Sequence, residues 1–427
     1  MPDARRADTA RAALPRAPEF DATLALLREG AGYISARADR LGTDVFRTRL
    51  ALRPVICMRG AEAAEIFYGG DRFTRRGAMP ASIRHLLQDD GSVQGLDGAA
   101  HRHRKAMFTG LMPDGSIRRL AGHFAAEWRS AVPGWQATGR VVLARALPQL
   151  LFRAAAVWAG VPVEDAEATR RADEMEAMIV NAGRLGPANW RARLRRHQTE
   201  AWARRVIGDL RAGAAADLSP PLPAAAIAAH RDEAGRLLPE PVAAVELINL
   251  LRPVVAVGHF ILFAALALHH HPEWRARFAT GADEDLEPFA HEIRRTTPFF
   301  PAVAGRVLTP FTWRGIDFAA DAWVLFDIHG TDTHPALWAD PAAFRPERFR
   351  GWDRDPWRLV PQGAGLVGAT HRCPGERITL ELIKEAVRLL CRDLDWRLPP
   401  QDLTVDPARL PACPADGLVL ADLRPCR

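Results

Sequence analysis

Lysine is almost absent from this chain. Of 57 basic residues only Lys105 and Lys384 are lysine. The arginines are interspersed with acids such as Glu200, Asp209, Asp232 and Glu273 rather than gathered in a stripe with aromatics. The formal charge of +6 is therefore spread over solvated faces, and no nucleic-acid partner is expected. Cysteine is scarce too. Cys57, Cys373, Cys391, Cys413 and Cys426 make an odd count without a Cys-x-x-Cys pair. That argues against a disulfide framework or zinc site and for a reducing, cytoplasmic setting. The first twenty residues lack the apolar stretch of a signal peptide. No charge-free run of about twenty apolar residues exists, so no membrane span is expected. The best candidate, Val254–Leu268, contains His259 and reads as a buried core helix. Repeats and low-complexity linkers are also lacking. We expect residues 1–19 to form a poorly ordered N-terminal segment and residues 20–427 a single domain.

Helical periodicity dominates what is there. It predicts helices over Ala61–Tyr68, Ala100–Leu111, Ile117–Val132, Leu143–Ala159, Trp190–Arg211, Pro241–His270, Asp285–Thr297 and Pro374–Asp393. Strand-like runs are short: Val45–Leu52, Val55–Met58, Val303–Leu308, Trp323–Phe326 and Leu418–Ala421. The fold class is mainly α with a small β region. Pro241–His270 is apolar nearly all round and so central. Arg252-Pro253 lies inside it. The proline removes one backbone hydrogen bond and kinks the helix, and a buried arginine there is costly unless paired.

Near the C-terminus stands Gly363-Ala-Gly365-Leu-Val-Gly368-Ala-Thr-His371-Arg372-Cys373-Pro374-Gly375-Glu376. A cysteine at a helix start meets free N–H groups and positive partial charge, which lower its pKa. Pro374 suits a first helical turn. The glycines let backbone approach something large and flat. Together they describe a thiolate presented as a ligand.

This loop, preceded in order by Glu292-Ile-Arg-Arg295 and Phe344-Arg-Pro-Glu-Arg348-Phe349, resembles the cytochrome P-450 superfamily. It looks most like the bacterial peroxide-using fatty-acid hydroxylases, over about residues 20–420. Arg76-Gly-Ala-Met-Pro80, Val93-Gln-Gly-Leu-Asp-Gly98 and His101-Arg-His-Arg-Lys105 add to the resemblance. The resemblance implies a long kinked helix over haem b, with Cys373 as the iron ligand. It makes Glu292, Arg295 and Arg348 an architectural trio, and Arg75, His101, Lys105 and His371 cofactor-binding residues. From the residues alone, His101 and Lys105 read equally well as a solvated basic face. Phe299, Phe300 and Val303 are implied to line the substrate pocket. The loop departs from its relatives over Leu366–Thr370, where polar groups are missing, and at Arg377, where relatives tend to have tryptophan.

The kink carries the chemistry. Oxygen-activating relatives place an acid–alcohol pair there to deliver protons. This chain has Arg252-Pro253-Val254-Val255-Ala256 instead. Hydrogen peroxide already carries both electrons and the protons. It needs only a group that moves a proton between its oxygens, and a substrate carboxylate held by Arg252 could do so. The expectation is peroxide-dependent hydroxylation of a long-chain fatty acid at the α or β carbon, without a redox partner. Arg252, Pro253 and Gln94 form the catalytic set. Gln94, a neutral amide where alkene-forming relatives have histidine, favours hydroxy acids. Two other readings stay open: a monooxygenase fed by redox partners, and a non-catalytic haem or fatty-acid binder.

Overall fold

The computed structural model describes residues 14–89, 91–214 and 222–426. Its core is a stack of helices around Glu240–His270, a 31-residue helix. At 1.5 Å per residue this helix runs roughly 46 Å. Apolar side chains occupy every face, so nearly all of Ala243 to Leu268 is buried. The helix is long and apolar enough to cross a membrane, but 89% of its most apolar stretch is buried inside the protein. Helices Leu143–Ala159, Asp165–Asn181, Pro187–Asp209 and Glu376–Arg388 pack around it. Gly258 allows the close approach: a Cβ there would meet Leu151 Cδ1 at 3.2 Å and Leu147 Cβ at 3.3 Å. The helix runs on through Pro253. Proline cannot donate to the Asn249 carbonyl, four residues back.

Helices Ala61–Tyr68 and Leu143–Ala159 fall where periodicity predicts them. Asp165–Asn181 was not expected. Its inner face is built from Ala168, Ala172, Arg171 and Glu174 together with Met175, Met178 and Ile179. Small and charged residues on the core side weaken the apolar signal. The cysteine helix starts at Glu376, not Pro374, and ends at Arg388 before a wider turn over Leu389–Asp393. Pro374 thus precedes the helix and its Gly375 cap, rather than sitting in the first turn.

A five-stranded sheet flanks the helices in the order Val45–Leu50, Arg53–Met58, Trp323–Asp327, Ala302–Val307, Phe73–Thr74. The first two strands form a hairpin with Leu50 opposite Arg53. Its turn residues, Ala51 and Leu52, both have positive φ (49° and 63°). A non-glycine pair there is unfavourable. The turn is held by Thr23 and Asp21, whose side-chain oxygens accept from the N–H groups of Ala51 and Leu52 at 2.6 Å each. The strand predicted to reach Leu52 stops short for this reason. The outer edge of Val45–Leu50 is covered by the incoming chain. Arg47 donates to the Pro15 carbonyl at 2.8 Å, and Ala17 donates to the Arg47 carbonyl at 2.9 Å. Residues 14–19 therefore belong to the folded body. The remainder of the expected loose segment, residues 1–13, lies outside the described residues.

Glu292 and Arg295 are both 0% exposed. Arg295 grips Glu292 bidentately at 2.7 and 2.8 Å, and Arg348 Nε donates to Glu292 at 3.2 Å. Arg295 also donates to the carbonyls of Asp332, Pro341 and Ala343. A charge pair this buried persists because every guanidinium proton of Arg295 and both oxygens of Glu292 have a partner.

Candidate active site

The cysteine loop is built to hold its own shape. Gly363 and Gly365 have φ of 90° and 83°. A Cβ at Gly365 would sit 2.6 Å from Thr370 Cγ2. Both glycines are therefore required by the loop itself. Thr370 closes it by donating to the Ala364 carbonyl at 2.6 Å. Cys373 N–H donates to the Gln362 carbonyl at 2.8 Å. Arg294 ties the loop to the Glu292 helix through Gln362 at 3.0 Å and Glu376 at 2.7 Å. That residue was missed in the sequence because its neighbours Glu292 and Arg295 carry the recognisable pattern.

The thiol itself departs from expectation. Desolvation pushes the Cys373 pKa up, against a hydrogen bond from Gly375 and the charges of Lys105 and Arg294. The helix start alone does not make a free thiolate here. A bound cation is what would favour the ionised sulfur. Cys57, Cys391 and Cys413 are buried structural thiols.

Four basic groups converge beside the loop. His101 and Lys105 are 4% and 2% exposed, so the solvated-face reading of this helix is excluded. Lys105 Nζ donates to the carbonyls of Thr370 and Arg372. The His101 ring stacks on His371 with centroids 3.9 Å apart. Arg75 donates to the Ala304 carbonyl at 2.9 Å, with Phe67 and Tyr68 against its guanidinium. Burial lowers the pKa of all four, taking His101 to about 4 and Lys105 to about 8. Mutual repulsion deepens the shift at both histidines. Among the described residues none of the four has a carboxylate partner in a salt bridge.

On the central helix, Arg252 is 4% exposed. It donates to the carbonyls of Leu86 at 3.0 Å and Leu87 at 2.6 Å, and to Asn249 Oδ1 at 2.9 Å. Its Nε and one Nη1 hydrogen take no part in these bonds. Among the described residues no carboxylate pairs with it. Burial lowers its pKa, and the nearby charge of Arg196 adds to the shift while Asp89 opposes it. Arg196 donates to the same Leu86 carbonyl at 3.0 Å. Glu246, the nearest helix acid, pairs instead with Arg104 at 2.7 Å. It reaches Arg252 only through Asn249, whose Nδ2 donates to Glu246 at 3.0 Å and to Gln94 Oε1 at 3.2 Å. Gln94 Oε1 also accepts from Ser92 Oγ at 2.8 Å. Asn249 thus joins Arg252 and Gln94 in one polar knot, and Pro253, the residue after Arg252, is exposed and takes no part in it. Asn249, its centre, was missed: a neutral amide in an apolar helix leaves no periodic signal. Phe299 packs on Phe260 and Phe300 with ring centroids 4.8 and 4.6 Å apart. Val303 sits in the adjoining strand opposite Phe326.

A cysteine just before a helix that packs on a long buried one, with basic groups that have no carboxylate partner among the described residues, is the arrangement of a haem-thiolate fold. The cytochrome P450 family model matches residues 286–420. Among solved structures, a mutant of cytochrome P450SP alpha (CYP152B1) is 46% identical over 95% of this chain and 99% of that one, with a TM-score of 0.92. Wild-type cytochrome P450EX alpha (CYP152N1) with myristic acid is 35% identical over 97% and 100%, with a TM-score of 0.91. A variant of cytochrome P450 OleT in complex with arachidonic acid is 30% identical over 97% and 99%, with a TM-score of 0.93. The chain belongs to the cytochrome P450 superfamily, in its CYP152 family. Among curated proteins, cytochrome P450 26C1 of Mus musculus is 31% identical over 166 residues, 38% of this chain. The match spans about a third (32%) of that relative's length.

The family's cofactor is haem with a cysteine thiolate ligand. The residues present fit it. Arg75 and Lys105 supply cations and the neutral His101 and His371 supply ring N–H donors, a set suited to two propionates. Cys373 is the one cysteine, of the five, that faces those cations at a helix start.

Proposed function

We propose that this protein is a haem-thiolate peroxygenase. In this reading it hydroxylates long-chain fatty acids at the α or β carbon with hydrogen peroxide, in the cytoplasm and without a redox partner. Residues 20–427 act as one catalytic unit, with Cys373 as the iron ligand. The observation that carries this is Arg252: a buried cation without a carboxylate partner among the described residues, at the point of the central helix where no acid or alcohol side chain stands.

The reaction balances as R–H plus H2O2 giving R–OH plus water. Haem, when bound, supplies cleavage of the O–O bond and transfer of oxygen to carbon. The chain's part is positioning. Leu86, Leu87 and Asn249 fix the guanidinium, leaving the Nε hydrogen or one Nη1 hydrogen, on different edges, to hold one oxygen of the substrate carboxylate. Held there, one carboxylate oxygen takes a proton from one peroxide oxygen and returns it to the other. The same contact sets which carbons lie at the reaction centre. Gln94 cannot donate a proton as an acid does, and its oxygen is already occupied by Ser92 and Asn249. That favours hydroxy acids over terminal alkenes. Phe299, Phe300 and Val303 supply apolar wall for the chain.

The deciding experiment is incubation of the haem-loaded protein with myristic acid and peroxide, followed by product analysis. Hydroxymyristic acid is the expected product. Turnover only with ferredoxin, ferredoxin reductase and a reduced nicotinamide would replace this reading with a monooxygenase. Binding of haem and acid without turnover would leave a carrier. The reduced carbon monoxide complex tests the thiolate ligand independently.

A further inference from the structure

The helix Pro187–Asp209 has two unlike faces. Ala192, Arg196, Thr199 and Ala203 are buried on one side. On the other, Trp190 is 62% and Leu194 67% exposed, and residues four apart are neighbours on one helix face. Leu185, 66% exposed, precedes the Gly186 cap. That position lies beside the fourth helical residue, which here is Trp190. Three large apolar side chains therefore form one projecting ridge. Single exposed leucines are ordinary, but a contiguous cluster marks a binding surface. The flanks of the ridge are cationic. No acid occurs between Glu176 and Glu200. Of the five arginines in that stretch only Arg196, which is buried, has a salt bridge among the described residues, to Asp89 and Glu200. Arg184, Arg191 and Arg195 are exposed.

A second cluster repeats this pattern close by. Phe20, Leu24, Leu27 and Leu52 are exposed. The side chains of Asp21 and Thr23, which accept from Leu52 and Ala51, hold the hairpin tip against this segment. Arg28 and Arg53 beside it are exposed and have no salt bridge among the described residues. The acids there are occupied: Glu19 and Glu29 both pair with Arg37. The two clusters adjoin. Asn189, next to Trp190, donates to the Ser82 carbonyl at 3.2 Å. Ala78, four residues earlier and so within about 14 Å, is buried in the apolar cluster that holds Ala22 and Leu50.

We propose that these two clusters form one surface that rests on an anionic phospholipid membrane. Apolar side chains that project from a surface can enter the headgroup layer, the depth that tryptophan prefers. Arginines without acidic partners beside them meet the lipid phosphates. A second copy of this chain matches poorly, because a two-fold contact sets arginine against arginine. The helix also links this surface to the candidate site. Arg196, on its buried side, and Arg252 both donate to the Leu86 carbonyl. Acyl chains dissolved in the bilayer would then lie about one helix diameter, roughly 10 Å, from that carbonyl. The proposal stands whether or not peroxide is the oxidant.

The test is co-sedimentation of the haem-loaded, full-length protein with vesicles of phosphatidylcholine alone and of equal parts phosphatidylcholine and phosphatidylglycerol. The parent protein binds the anionic vesicles at least roughly tenfold more tightly than the neutral ones, and added salt weakens that binding. Arg191→Gln combined with Arg195→Gln lowers partitioning into the anionic vesicles by about thirtyfold. Trp190→Ser combined with Leu194→Ser lowers it by roughly tenfold, and so does Phe20→Ser combined with Leu24→Ser. All six side chains are exposed, so an unchanged spectrum of the reduced carbon monoxide complex controls for folding. Equal binding to both vesicle types, no binding to either, or parent-like binding in any of the three variants overturns the proposal. Binding to duplex DNA that exceeds vesicle binding and survives the serine substitutions overturns it in favour of nucleic acid.

Discussion

Arg252 is a cation that folding has buried and left incompletely matched. Two main-chain carbonyls and one amide hold its direction, but none of them carries a full charge. Desolvation of a guanidinium is expensive, and a charge-assisted contact with a carboxylate returns about 1.5–3 kcal/mol. Arg252→Ala is therefore expected to lower peroxide-driven turnover of myristic acid by roughly ten- to a hundredfold. Arg252→Lys should also be impaired, because an ammonium cannot bridge two carbonyls and a carboxylate in one plane. Normal turnover in either variant, measured by product formation, would rule out carboxylate capture. Arg252 was legible in the sequence because a charge inside an apolar run is conspicuous. Asn249 was not, because asparagine on a helix is unremarkable until its two ends are seen to touch Gln94 and Arg252. The thiol of Cys373 misled in the other direction. The helix start was visible, but the desolvation that outweighs it exists only in the folded chain.

Elements are held to one another by buried ion pairs as much as by apolar contact. Glu246 on the central helix accepts from Val93 N–H at 2.9 Å and from Arg104 at 2.7 Å. It therefore staples the segment carrying Gln94 to that helix. Glu246→Ala strands Arg104 in the interior and is expected to cost about 3–5 kcal/mol of unfolding free energy, read by denaturant titration. Glu376 does the same for the cysteine helix. Desolvation opposes its ionisation, yet the charges and hydrogen bonds of Arg294 and Arg372 hold its carboxyl down at about 2, from an ordinary 4.5. A lowered carboxylate adds stability that is complete above its unfolded value and disappears as the pH falls toward the folded one. The protein should therefore lose stability between about pH 4.5 and pH 2, and Glu376→Gln should flatten that part of the profile. Thermal midpoints across this range decide it. At this scale the sequence marked the long helices but not Asp165–Asn181, nor the start of the cysteine helix. Helix caps and a mixed inner face depend on neighbours that no local window contains.

For the whole molecule, the three ordered motifs and the central helix were enough to define the superfamily, and the sheet's main strands were visible as β-branched runs. What stayed hidden were the short partners: Phe73–Thr74, which closes one side of the sheet, and Pro15–Ala17, which covers the other. Such segments have too few residues to show a period and gain their conformation from the strand they meet. The Pro15–Ala17 strap has a practical consequence. A chain trimmed to residue 20 would keep the cysteine loop and the central helix intact but bare the N–H and carbonyl of Arg47 along an open strand. Open strands template pairing with further copies. The trimmed protein should bind haem normally yet elute from a sizing column as dimers and larger species, which dilution disperses. Part of the stretch expected to be poorly ordered should thus keep neighbouring molecules from adding to the sheet.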